Sequence, residues 1–263
     1  MSVARRVSVD SLAESVYRHL DKAIICVDVL LTTATAVTAV ARGRRMVIVE
    51  TPEEALAAAR RMKDPVLAVE AAPCLPAGFD DDAGPVAMER RSDVSRPLVL
   101  ASPTARLLGN ARGAQAVYLA CLRNVAATAA YVSEHHDRVA VIGAGFGHQT
   151  RCEDQIVATQ LALDLVKRGY KPDGLGTERE IARWGAADIS LARLGRGAEL
   201  MCRIGRQQDV DFSLARRDDL QEVCEVHSGE VVGRSWPAPK AAAVRPRVAW
   251  SRWAPPTWEP RGA

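Results

Sequence analysis

The chain has 263 residues, enough for one large or two small domains around a sizeable core. Its 48% hydrophobic and 25% charged residues suit a soluble globular protein, and no apolar run nears the ~18 residues of a membrane span. The formal charge of +3 is uneven: residues 231–263 carry +5 and residues 1–230 carry −2, so the body gives no general case for binding nucleic acid.

Residues 1–22 read as an N-terminal extension with a weak amphipathic-helix signal. They hold arginines but no apolar stretch of the secretory kind, which predicts a cytoplasmic protein. The six cysteines are scattered with no CxxC pair, against both a disulfide framework and a zinc site. Ala23 to Leu31 then predicts a buried strand carrying a single acid, Asp28. Thr32, Thr33 and Thr35 open an Ala/Val-rich helix closed by Arg42 and Gly43. An acid in so apolar a run is costly unless it is paired, metal-bound or bonded to backbone and threonines at the strand's mouth.

Met46 to Glu50 predicts a strand, and Thr51, Pro52 and Glu54 a capping box that starts a helix reaching about Met62. Val66 to Glu70 is a strand ending in an acid. Residues 71–96, rich in Pro, Gly and Asp, read as a long irregular loop, with Asp80–Asp81–Asp82 a solvated turn more readily than a metal cage. Pro97 to Ala101 and Ala116 to Ala120 are further strands. The first is followed by Ser102 and Thr104, the second by Asn124, each at the mouth of a helix.

The most ordered signal lies between Arg138 and Gly169. Val139 to Ile142 suits a strand buried on both faces, and a polar glycine-rich loop runs from Gly143 to Arg151. Glu153 and Asp154 then lead an apolar-periodic helix ending at Lys167, Arg168 and Gly169. The two acids could simply complement the helix dipole. They could also face a ligand, since such units place ligands beyond the carboxyl ends of the strands. Further helices are predicted over 177–187 and 189–204, with a last segment from Asp209. The fold is expected to end at His227, leaving a Pro-, Arg- and Trp-rich tail over 228–263, extended or disordered and without a core of its own.

Strand–helix alternation therefore predicts an α/β protein, a three-layer α/β/α body over 23–227 with mostly parallel strands in two lobes. Four strand ends share one grammar, a polar residue followed by a helix. Helix N-termini offer N–H groups to an anion, and carboxylates nearby suit Mg²⁺, a pairing that points to phosphoryl chemistry. No Walker A, GxSxG, HExxH or dinucleotide fingerprint is present.

The order of motifs resembles the 2-phosphosulfolactate phosphatase family, Mg²⁺-dependent acid phosphatases of coenzyme M biosynthesis, over roughly residues 23–226. A family D-V-L-R-A-T-T-T is matched by Asp28-Val29-Leu30-Leu31-Thr32-Thr33-Ala34-Thr35, and T-x-E-E-A by Thr51-Pro52-Glu53-Glu54-Ala55. Gly78-Phe79-Asp80, Asn124, Ala144-Gly145 with Glu153-Asp154 and Ala158, and Gly205 with Asp209, Val210 and Phe212 follow in the family's order. The departures fall on functional loops: Leu31 replaces an arginine, and the G-N-S-P and T-T-N-G-T loops read Ala83-Gly84-Pro85-Val86 and Ala101-Ser102-Pro103-Thr104-Ala105. The resemblance implies a homo-oligomeric phosphatase acting on a small anionic phosphate ester. Asp28, Glu153 and Asp154 would be catalytic and hold Mg²⁺, with Glu70 near. Thr32, Thr33, Ser102, Thr104 and Asn124 would bind substrate. Arg106, Arg112, Arg123 and Arg151 are candidate replacements for the lost cation, and sequence does not choose among them. A divergent or non-catalytic relative, taking another anionic ligand or acting as an assembly partner, is the alternative.

Overall fold

A computed structural model describes residues 4–70, 74–80 and 83–236. It is an α/β protein built on one ten-stranded sheet of order β4-β5-β3-β10-β9-β6-β2-β7-β1-β8. β1 is Arg6–Ser11, β2 Ala23–Val27, β3 Met46–Val49, β4 Val66–Val69 and β5 Leu98–Ala101; β6 is Ala116–Ala120, β7 Arg138–Gly143, β8 Lys171–Pro172, β9 Glu222–His227 and β10 Glu230–Ser235. β4, β5 and β3 form one parallel run, and β6, β2, β7, β1 and β8 form the other. The antiparallel β9–β10 hairpin joins them, pairing with β3 on one side and β6 on the other. The expected two lobes correspond to these two runs.

The central strands read as unbroken apolar sequence because both faces are covered. All five residues of β2 are fully buried, with Ile24 and Cys26 in the core on one face and Ile25 and Val27 on the other. The first face packs beneath α1 (Thr32–Ala41), α3 (Pro85–Arg90) and α4 (Ala105–Asn110). The second lies beneath α5 (Val125–His135), α6 (Cys152–Lys167), α8 (Arg196–Arg203) and α9 (Gln207–Ala215). A third cluster seats α2 (Pro52–Ala59) on β4 and β5. α7 (Gly174–Trp184) completes the helices, beside β1 and α6.

α1 is buried nearly all round, as a helix apolar on every face must be. Its threonines turn their hydroxyls inward: Thr35 Oγ1 donates to Ala83 O (2.7 Å) and Thr38 Oγ1 to Ala34 O (2.6 Å). Half of the capping box expected at α2 forms, and its return bond goes to the residue before the cap. Thr51 Oγ1 accepts from Glu54 N (3.2 Å), and Glu54 reaches back to accept from Glu50 N (2.9 Å).

Three expectations are corrected. Residues 6–11 are not a helix but β1, paired in parallel with β7 and β8. The alternation Val7-Ser8-Val9-Asp10 is a strand pattern, and Ser8 accepts a hydrogen bond from Lys22 Nζ (2.7 Å), which also pairs with Asp173. Residues 71–96 are not loop throughout, because Pro85 starts α3; Asp81 and Asp82 lie outside the described residues. Nor does the fold end at His227. Ser228 and Gly229 both take positive φ (52° and 86°), the requirement of a tight hairpin turn, and β10 returns through the middle of the sheet. Trp236 then stacks edge-on to Tyr131 (4.9 Å between centroids). Residues 237–263, most of the expected tail, lie outside the described residues.

Candidate active site

Two loops at the ends of adjacent strands build the floor of a cleft. The first follows β2 and carries Asp28. The second follows β7 and leads through Gly145 and Arg151 into α6, whose first turn carries Glu153 and Asp154. The cleft is narrow, about 20 Å³ of solvent-sized space, and is lined by Asp28, Glu70, Thr104, Gly145, Arg151 and Asp154, with Leu30, Phe146 and Met201 among its apolar walls.

Asp154 ties the two loops together. Its Oδ1 accepts from Val29 N (2.8 Å) and its Oδ2 from Gly145 N (3.0 Å), so one buried carboxylate spans both strand ends. Asp28, 6% exposed, accepts a short hydrogen bond from the Thr104 hydroxyl. Its own loop is pinned from behind: Thr33 Oγ1 donates to Asp28 O (2.6 Å) and accepts from Asp28 N (3.0 Å).

Glu70, after β4, reaches the same cleft from the other parallel run. It accepts from Leu31 N (3.3 Å), from Thr32 Oγ1 (2.5 Å) and from Ser102 Oγ. This contact clamps the start of α1 to the ends of β4 and β5. The site therefore lies where the two runs meet, rather than at one edge of a single parallel sheet.

Burial is the largest cause raising the carboxyl pKa of Asp28 well above the carboxylate range, with Glu70 the next and Thr104 opposing. Asp154 is raised by burial first and by Asp28 and Glu153 next, against the two backbone donors. Each acid makes the other harder to ionise, the signature of like charges sharing a low-dielectric site.

The sequence-predicted residues divide clearly. Asp28, Asp154 and Thr104 line the cleft. Glu153 is buried behind the wall, where a Cβ on Gly197 would collide with its Oε1, and it reaches the cleft through its charge on Asp28 and Asp154. Thr32 and Ser102 are buried and turned to Glu70, whereas Thr33 belongs to the Asp28 loop. Asn124 is not in the cleft. Fully buried, it accepts from Cys121 N (3.0 Å) and donates to Leu119 O and Glu222 O, fastening β6 to β9.

Among the candidate cations, Arg106 pairs with Glu50 (2.9 Å) and Arg123 is buried against Asp219 (2.8 Å). Arg112 lines a separate groove, and Arg151 lines the cleft. Leu31 is 1% exposed within the apolar core. Sequence reasoning missed the wall that α8 supplies through Gly197, Leu200 and Met201, because nothing local in an amphipathic helix says which loop it will cover.

The donors around Asp28, Glu70 and Asp154 are all hard oxygen, and their mutual repulsion would be relieved by a divalent cation. Among the described residues no three His, Cys, Asp or Glu side chains form a ready-made cage. Mg²⁺ does not ask for one, since it binds through one or two carboxylates and takes its other ligands from water and phosphate. The residues fit that ion. Among the described residues no helix is long and apolar enough to cross a membrane.

Fold and cleft together define an α/β protein with a carboxylate-lined crevice, its candidate site, at the ends of its strands. A sequence model of 2-phosphosulpholactate phosphatase matches residues 10–229, and the chain belongs to that phosphatase family. Two relatives are each described as a probable 2-phosphosulfolactate phosphatase. The one from Deinococcus radiodurans is 29% identical over 215 residues, covering 79% of this chain and 88% of the relative. The other, from Symbiobacterium thermophilum, is 28% identical over 197 residues, covering 72% and 84%.

Proposed function

We propose that this chain is a Mg²⁺-dependent phosphatase that hydrolyses a small phosphorylated acid of the 2-phosphosulfolactate type. The reading rests on one observation above the others: Asp28, Glu70 and Asp154, far apart in sequence, line one cleft in a member of this family. Asp28 and Asp154 would hold the ion, with Glu153 acting on both from behind. The ion would supply Lewis-acid polarisation of a phosphoryl oxygen and an acidified water.

The chain's own groups do the rest. Thr104 fixes the orientation of Asp28 through its hydroxyl. Asp154 keeps the β2 and β7 loops at constant separation by accepting one N–H from each. Leu30, Phe146 and Met201 narrow the cleft with apolar surface, which lowers the local dielectric and strengthens charge interactions inside it. Burial and mutual repulsion favour the protonated form of Asp28 and Asp154, so a divalent ion would compete with protons for them.

One feature favours a second reading, a relative redirected to another anionic ligand: Leu31 is buried in the core, so its loop presents no positive charge to the cleft. A panel of phosphate esters, assayed from mildly acid to neutral pH with and without Mg²⁺, tests both. Hydrolysis of phosphosulfolactate or a close analogue supports the first reading. Turnover of unrelated esters supports the second. No turnover under any condition rejects a phosphatase.

A further inference from the structure

We propose that Arg151 is the phosphate-binding cation of this cleft, an assignment that rests on the phosphatase reading of the same site. Among the residues lining the cleft it is the one positively charged side chain, set against three carboxylates. A phosphate group carried towards Asp28, Glu70 and Asp154 meets repulsion from all three. Arg151 offers the compensating guanidinium, whose planar fork of donors matches two phosphate oxygens.

Its surroundings keep that fork available. The guanidinium lies over the Phe146 ring at 5.3 Å from the centroid, and no carboxylate pairs with it among the described residues. Stacking on an aromatic face orients an arginine while leaving its in-plane N–H groups free to donate. The other arginines considered for this role do not combine these features: Arg106 and Arg123 are paired with acids, and Arg112 lines a different groove.

Arg151 also sits where the loop turns into α6. It is the residue immediately before α6, two positions from Glu153 and three from Asp154, with extended backbone (φ −112°, ψ 133°). The turn that sends Asp154 into the floor therefore leaves the side chain of Arg151 at the wall. One short segment, Arg151 to Asp154, supplies both the negative charge for a cation and the positive charge for the phosphate.

The test compares the full-length wild type with two variants at one position, Arg151→Lys and Arg151→Met. Inorganic phosphate binding is measured by isothermal titration calorimetry, and KM and kcat are measured on any ester the wild type hydrolyses. Arg151→Met is expected to weaken phosphate binding and raise KM by roughly 10- to 100-fold, the loss of a charge-assisted hydrogen-bond pair. Arg151→Lys should recover part of both, and melting temperatures should stay within about 2 °C, as for a partly exposed side chain. Phosphate bound equally well by wild type and Arg151→Met, or not bound by wild type at all, overturns the assignment. Weakened phosphate binding in Arg151→Met with no turnover of any ester by the wild type sustains the assignment and rejects only the phosphatase reading.

Discussion

The two loops that meet at Asp154 differ in almost every physical respect. The loop after β2 is short, buried and internally satisfied: Thr33 closes it on the backbone of Asp28, and Leu31 is sunk in the core. The loop after β7 is longer and more exposed, with Phe146 42% exposed and Gly145 and Gly147 at positive φ. One loop is a fixed anvil that supplies a carboxylate. The other is an exposed rim that supplies a carboxylate and a cation. Charge of both signs is thus concentrated on the more exposed loop.

The sharpest way to break this contrast is to neutralise each floor carboxylate in turn. Asp28→Asn keeps an oxygen for the Thr104 hydroxyl and leaves the loop's backbone bonds alone. It is expected to lower kcat/KM on any hydrolysed ester by roughly 10²–10³-fold, the scale of one preorganised electrostatic group, with no loss of fold by circular dichroism. A variant with wild-type activity would remove Asp28 from the site.

Asp154→Asn should behave differently, because an amide cannot accept both N–H bonds. One buried donor, on Val29 or Gly145, is left without a partner. The variant should lose activity and also about 1–3 kcal/mol of stability in urea titration. Equal stability in the two variants would show that Asp154 does not brace the loops.

Leu31→Arg probes the anvil from the other side. Position 31 is buried among apolar side chains, so an arginine there overpacks the core and buries a charge. The expected result is a loss of at least about 1–3 kcal/mol with no gain in phosphate affinity. A gain in affinity would mean the first loop can open towards the cleft.

The smallest effect is on the pH dependence of melting in the presence of a chelator. The folded state raises the Asp28 and Asp154 carboxyls, so it binds more protons than the unfolded chain above the ordinary carboxylate pKa of about 3.9. Stability should therefore fall as pH rises from that value through the raised folded values. Differential scanning calorimetry from pH 5 to 7 should show this slope in the wild type. It should shrink in Asp28→Asn and on adding Mg²⁺. A slope unchanged by both would detach these acids from the linkage.

Much of this molecule is legible in its sequence because its central strands are buried on both faces. Runs such as Ala23 to Val27 and Val139 to Ile142 have no other reading, and each is followed by a polar residue and a helix. Asp28 and Asp154 follow from that grammar. Asn124 obeys the same grammar and yet serves β9, because the grammar marks a strand end and not which cavity the end faces. The strands that escaped are mixed in polarity. β1 alternates Val with Ser and Asp, and β9 and β10 carry Glu222, Glu225, Glu230 and Arg234. The Ser228-Gly229 pair was the readable sign of a hairpin there. Leu31 could be read as a lost cation, but only the packing showed that its side chain is committed to the core.

The hairpin of β9 and β10 has a consequence for the order of events on the ribosome. Synthesis delivers the eight strands of the two parallel runs first and the piece that joins them last. Until residues 222–235 emerge, the nascent chain holds β3 and β6 as open edges with unpaired backbone groups, the kind of surface to which another strand adds. Each run could gather its own helices early, but the cleft between them cannot acquire its final shape until the last strands are inserted. A stall or a stop codon shortly before Glu222 would therefore release two half-sheets with sticky rims rather than a slightly shortened enzyme. Pulse-labelled truncations ending at Leu220 should be captured by chaperones far longer than those ending at Trp236.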